Sequence, residues 1–239
     1  MKTIFHKADS RGHANHGWLD THHTFSFAGY YNAERNNFGA LRVLNDDIVK
    51  SGMGFGAHPH NNMEIISIPL KGALKHEDNM GNKGIIEKGE IQIMSAGSGV
   101  VHSERNASHN ENVNFLQIWV FPKEQNATPR YDQKRIDNVE KHNDFQQIVS
   151  PYKDEEGVQI GQDAWFHLAK MDKGVTKEYK IKKKGNGVYI FLLEGKVKIY
   201  NHILEKRDGL GVSETENFSL EAFQDSQVLL MEVPMIKLH

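Results

Sequence analysis

The 239-residue sequence predicts an all-β protein of sandwich or barrel type. Three observations carry that expectation. Short β-branched or aromatic runs of strand length recur, with Gly, Asn and Asp between them. No long segment sustains a 3.6-residue apolar period. One strand–turn–strand pattern occurs twice.

The runs are GALRVLND (39–46), EIISIPL (64–70), EIQIM (90–94), NFLQIWVF (114–121), GVYIFLL (187–193), KVKIYN (196–201) and QVLLMEV (227–233). Many short strands at such spacing suit a sandwich or barrel. The stretch 137–151 reads as the place for one short helix. IISIPLKGALKH (65–76) aligns with VYIFLLEGKVKI (188–199), which sets Gly72 on Gly195 and predicts two similar β domains. FPKEQNATPRYDQKR (121–135) is polar, carries two prolines and reads as a connection. The expected division is therefore 1–130 and 131–239. Asp46 and Asp47, in NDD, read as a turn.

Charged residues make up 25% and hydrophobic residues 38% of the chain, as in globular proteins. A net charge of −2 gives no case for direct nucleic-acid binding. No segment approaches the ~18–20 apolar residues of a membrane span, and the N-terminus has no secretory apolar run. A cytoplasmic location is the expectation. Cysteine is absent, so any metal site must use His, Asp or Glu.

Two segments supply such ligands. GFGAHPHNNMEI (54–65) sets His58 and His60 two apart, and side chains at i and i+2 of a strand share a face. GEIQIMSAGSGVVHSERN (89–106) does the same with His102 and Glu104. Two extended segments offering these pairs to one interior make a three-His, one-carboxylate site. That donor set suits Fe(II), Mn(II), Co(II), Ni(II), Cu(II) or Zn(II), and spacing does not choose among them. Glu64 competes with Glu104 for the carboxylate position, since in an unbroken strand it shares a face with His60. Distance argues for Glu104: i to i+2 spans ~6.6 Å and i to i+4 twice that. His76, in KHED, reads as an exposed strand end. His13, His16, His22 and His23 read as polar caps around an N-terminal strand. Of Phe25, Phe27 and Phe55, at least two read as ordinary core.

The two clusters resemble the two cupin motifs, with Ser95 where proline is common and two extra residues before His102. Together with RGHANHGWLDTHHTFSFAGYYN (11–32), HPH and QIMSAGSGVVHSE, they resemble the pirin family of two-domain cupins, and especially its bacterial quercetin 2,3-dioxygenases. The resemblance implies two packed cupin barrels with few short helices. It implies a metal-binding N-terminal domain over 1–130 and a cupin-like domain without a metal site over 131–239. It also implies one divalent metal, Fe(II) foremost, on His58, His60, His102 and Glu104. The implied substrates are a flavonol such as quercetin and dioxygen, with Glu104 as ligand and general base. The rival reading is a metal- or redox-sensing regulator that binds a protein partner. Because imidazoles bind metal only when neutral, activity is expected to fall below about pH 6.

Overall fold

A computed structural model of the chain describes residues 1–136 and 141–236. Its strands form two pairs of sheets, one large and one small in each pair. The first large sheet runs β12 (Arg130–Arg135), β9 (Glu90–Ser95), β6 (Glu64–Lys71), β11 (Val113–Val120), β4 (Leu41–Val49), β3 (Leu19–His23), β2 (Gly12–Asn15). Its small partner runs β5 (Gly54–His60), β10 (Val100–Asn106), β7 (Ala73–Asp78), β8 (Lys83–Glu87). The second large sheet runs β1 (Lys2–His6), β20 (Gly209–Ser213), β17 (Asn186–Glu194), β22 (Ser226–Pro234), β15 (Trp165–Met171), β13 (Phe145–Ser150), β14 (Val158–Gln159). Its partner runs β16 (Thr176–Lys180), β21 (Asn217–Ala222), β18 (Lys196–Ile199), β19 (His202–Glu205). Each pair closes into a cupin barrel.

Strand alternation divides the large sheets into two working faces. In β11, Leu116, Ile118 and Val120 point to a slab shared by both barrels, while Val113 and Phe115 pack inside the first barrel. The same slab takes Leu44, Ile66, Ile68, Ile91 and Ile93 from the first barrel. From the second it takes Phe166, Tyr189, Phe191, Leu229, Met231 and Val233. Each fully buried Leu, Ile or Phe contributes about 1.5–3 kcal/mol, so the slab outweighs any single polar contact between the barrels.

The repeated pattern is real in three dimensions. Gly72 joins β6 to β7 and Gly195 joins β17 to β18, both at positive φ (76° and 92°). A Cβ at Gly195 would lie 2.3 Å from the Asp225 carbonyl oxygen, so glycine is required there.

Several local expectations meet a different arrangement. Residues 145–150 form β13, paired with β15; the β-branched Ile148 and Val149 enter the shared slab, and 137–140 lie outside the described residues. The connection read at 121–135 contains β12, which pairs with β9. Conversely, β1 pairs with β20, so each barrel takes a strand from across the division expected near residue 130. Asp46 and Asp47 lie inside β4. Aspartate is disfavoured in strands, but here both carboxylates have partners. Arg207 Nε donates to Asp46 at 2.8 Å, Asn114 donates to Asp46 at 2.8 Å, and the Thr21 hydroxyl donates to Asp47.

The second barrel's interior is mostly hydrocarbon, including Val188, Ile190, Leu192, Val197, Ile199, Val228 and Leu230. Within it His167, 3% exposed, contacts the Tyr179 hydroxyl at 3.2 Å. Burial, then the nearby Lys182 charge, lowers its pKa from 6.5 to about 3. Between those values the unfolded chain binds a proton that the folded chain rejects. The stability owed to the neutral ring is complete above pH 6.5 and is lost as pH falls toward 3. Urea unfolding at pH 7 and pH 4.5 tests this. His167→Gln should lose about 2–3 kcal/mol less than the parent over that interval, and equal losses would refute the assignment.

Candidate metal centre

The first barrel has a polar interior band where the second is apolar. Asn45, Asp47, Ser67, His76, Gln92, His102, Glu104 and Gln117 all point inward from their strands, and all but Gln117 are under 9% exposed. Apolar clusters flank the band: Leu19, Val49, Leu74, Ile86, Val113 and Phe115 on one side, and Ile65, Met94 and Val100 on the other.

His58 and His60 come from β5, and His102 and Glu104 from β10, which pairs with it antiparallel. His102 faces His58 in the register and Glu104 faces Phe55, so β5 carries one extra residue between them. The ring centroids lie 4.8 Å apart for His58–His60, 4.5 Å for His58–His102 and 5.0 Å for His60–His102. One ring nitrogen from each falls within 4.8 Å of the other two. The Gly56 carbonyl can only accept, so the 2.8 Å contact places a proton on His58 Nδ1 and leaves Nε2 a lone pair.

His102 is 1% exposed, yet neither of its ring nitrogens has a hydrogen-bond partner. Leaving such a group unsatisfied costs about 1–3 kcal/mol, which a cation bound by the lone pair would relieve. Glu104 is equally buried. It accepts from the Ser67 hydroxyl at 2.7 Å and from Gln117 Nε2 at 2.5 Å, and among the described residues no Lys or Arg pairs with it. A buried carboxylate without a positive partner is unfavourable, and a bound cation supplies the missing charge. The donor set therefore fits a divalent transition metal.

Burial, then the charges of His102 and His58, lowers the His60 pKa to about 4. Burial, then His58 and His76, lowers that of His102 to about 3. For these two rings burial favours the neutral form that binds a metal.

His76 is not exposed but fully buried in β7, opposite Glu104. Its position brings it within 4.8 Å of His102 and Glu104 donors. Both of its nitrogens are committed, however: Nε2 to Asp78 at 3.1 Å, and Nδ1 as acceptor from the Gln92 amide at 3.3 Å. It buttresses His102, with ring centroids 5.4 Å apart, and has no free lone pair. The signal in sequence was the alternation Leu74, His76, Asp78 along one strand.

Glu64 does not join the cluster. The chain bends at Asn62 (φ 49°), so β5 and β6 are separate strands. Glu64 accepts from the Ser95 hydroxyl at 2.7 Å and from the Gly161 backbone N–H of the second barrel at 3.0 Å. Burial raises its pKa.

A cavity of about 210 Å³ opens on the cluster, lined by Phe27, Asn45, Asp47, Phe55, His58, His60, Glu104, Gln117 and Trp119. Phe27 and Phe55 thus form wall; of the three phenylalanines only Phe25 is buried in the shared slab. A larger cavity of about 460 Å³ lies between the barrels, against Ile68, Leu168 and Arg207. It meets none of these donors, so the chemistry belongs to the smaller one. Asp47 contributes a carboxyl to the wall, and burial pushes its pKa up to about 7.

Two substitutions separate the carboxylates and rings. His102→Ala should lose most of its tightly held metal on dialysis. Glu64→Ala should keep it and lose about 1–3 kcal/mol of stability, because Ser95 and Gly161 lose their acceptor. Elemental analysis and urea unfolding read the two effects, and metal loss in Glu64→Ala would reverse the assignment.

Residues 4–120 match the Pirin family model, and residues 147–233 match that of the quercetinase C-terminal cupin domain. The chain is 42% identical over 230 residues to the quercetin 2,3-dioxygenase of Escherichia coli (strain K12), covering 96% of this chain and 98% of that one. It superposes on the crystal structure of YhhW from Escherichia coli with a TM-score of 0.94, at 41% identity over all of both chains. A structure of the bacterial pirin YhhW in complex with nickel(II) gives a TM-score of 0.93 at 40% identity, covering 98% of this chain and 100% of that one. Two barrels, the polar band in the first and these likenesses over nearly the whole length lead to one conclusion: the chain belongs to the pirin family.

Proposed function

We propose that this protein is a metal-dependent dioxygenase that cleaves a flavonol such as quercetin with dioxygen. His58, His60, His102 and Glu104 hold the divalent metal in this reading, within the N-terminal domain (1–130), and the C-terminal domain (131–239) supports it across the shared slab. Fe(II) is the expected occupant. The observation that carries the reading is a group of three imidazoles beside a buried carboxylate with no basic partner among the described residues, at the floor of an aromatic-walled cavity. Relatives named quercetin 2,3-dioxygenase support the substrate class.

When bound, the metal supplies Lewis acidity that lowers the pKa of a substrate hydroxyl. The remaining roles fall to side chains. Glu104 accepts the hydroxyl proton as the substrate enters, acting as general base. Ser67 and Gln117 donate to the carboxylate and fix it from behind. Phe27, Phe55 and Trp119 offer flat faces to an aromatic guest and exclude water. At about 210 Å³ the cavity is below the ~300–1,000 Å³ of pockets that engulf drug-sized ligands. One ring of the flavonol enters and the remainder rests at the mouth.

Oxygen uptake with quercetin, measured at saturating metal, tests the proposal. Glu104→Gln should fall by about 10²-fold or more with metal retained. His58→Ala should lose metal and uptake together. Undiminished turnover in Glu104→Gln, or uptake that does not follow metal content across the variants, would refute it.

A further inference from the structure

The β2–β3 hairpin gathers a second set of donors on the face turned away from the cavity. In its register His13 opposes His22, and Asn15 opposes Asp20. Residues two apart share a face, so these four side chains stand together. Thr21 and His23 alternate to the interior, where they bond Asp47 and Asn45.

The His13 and His22 rings stack with centroids 4.5 Å apart and planes 22° apart. His13 Nε2 contacts Asp20 Oδ1 at 2.8 Å. One donor atom from each of His13, Asp20 and His22 lies within 4.8 Å of the other two. His13 and Asp20 remain open to solvent, with side chains 52% and 39% exposed, so an ion can reach them. His22 is half-buried and has no hydrogen-bond partner among the described residues. Burial, then Arg11 and His13, lowers its pKa and keeps a lone pair available. Arg11 lies on the Asp46 side of His22, where Asp46 Oδ2 sits 3.6 Å from its guanidinium and is shared with Arg207. Imidazole lone pairs lie in the ring planes, so one of the two rings turns out of this stack when both share a cation.

We propose that His13, Asp20 and His22 form a second cation site, for a late first-row divalent ion such as Zn(II). Two nitrogens and one carboxylate oxygen suit a tetrahedral ion whose fourth place is held by water. The ligands come from both strands of an edge hairpin, so the ion clamps β2 onto β3. The inference is independent of the oxygenase reading.

Calorimetric titration with Zn(II) on the full chain carrying His58→Ala and His60→Ala tests it. The hairpin should bind one equivalent and raise the melting temperature. Adding His13→Ala and His22→Ala should abolish both effects. Asp20→Asn alone, which keeps the hairpin's rings, should weaken binding at least tenfold. Circular dichroism verifies that each variant is folded. Unchanged stoichiometry and affinity in the hairpin variants, or no binding before they are introduced, overturns the proposal.

Discussion

The structure depends on keeping a polar band inside a barrel between flanking clusters of hydrocarbon. Polar groups are unfavourable there unless each finds a partner. Most of them do: Gln117 and Ser67 reach Glu104, Gln92 and Asp78 reach His76, Thr21 reaches Asp47, and Asn45 reaches His23. Gln92 Oε1 and Trp119 Nε1 lack a partner, and so do both nitrogens of His102, which sits two residues from the unpaired carboxylate of Glu104 on one strand. Among the described residues the protein offers no proton donor to His102 and no basic residue to Glu104. A divalent cation answers the deficits of His102 and Glu104 at once.

The other face of the same strands carries the architecture. Because the side-chain period is two, a one-residue slip in β11 would exchange Gln117 and Trp119 for Leu116 and Ile118. The slab would then receive polar groups and the cavity would lose Gln117's hold on Glu104. Site and interface therefore specify the same register. Asp46 and Asp47 show the division most sharply. Asp46 turns outward to Arg207 and Arg11, and these ion pairs hold its pKa low against the effect of burial. Asp47, its neighbour in the chain, turns inward, and burial raises its pKa.

Much of this was legible in the sequence, because period-two patterns and i, i+2 pairs are local. His58, His60 and His102 cluster as their spacing required, and Gly72 and Gly195 occupy equivalent turns. What escaped was whatever depends on a partner strand distant in sequence. His76 read as a strand end because its polar neighbours suggested solvent, yet β10 covers it. Asp46 and Asp47 read as a turn because their ion-pair and hydroxyl partners lie far away at Arg207 and Thr21. At least two of Phe25, Phe27 and Phe55 read as core, and only Phe25 is, because hydrophobicity does not tell a packed wall from an open one. Glu64 kept its candidacy until the bend at Asn62 placed it on the slab side, beside Gly161.

The same repeat that identifies two barrels also explains why their interiors differ. In its alignment Ser67 falls on Ile190 and His76 on Ile199. The residue that holds Glu104 and the one that backs His102 are thus both replaced by isoleucine, and both isoleucines are fully buried among hydrocarbon. The second barrel does keep one interior carboxylate, Glu232, but its demands are met from within. It accepts from the Tyr179 hydroxyl at 3.0 Å, the Lys182 and Lys183 backbone N–H groups at 2.9 and 3.0 Å, and the Asn186 amide at 3.0 Å. Four donors stabilise that charge, where Glu104 has two and faces a cavity. These two replacements, at strand-interior positions and with no change of backbone plan, are part of what separates a band that needs a cation from a core that does not.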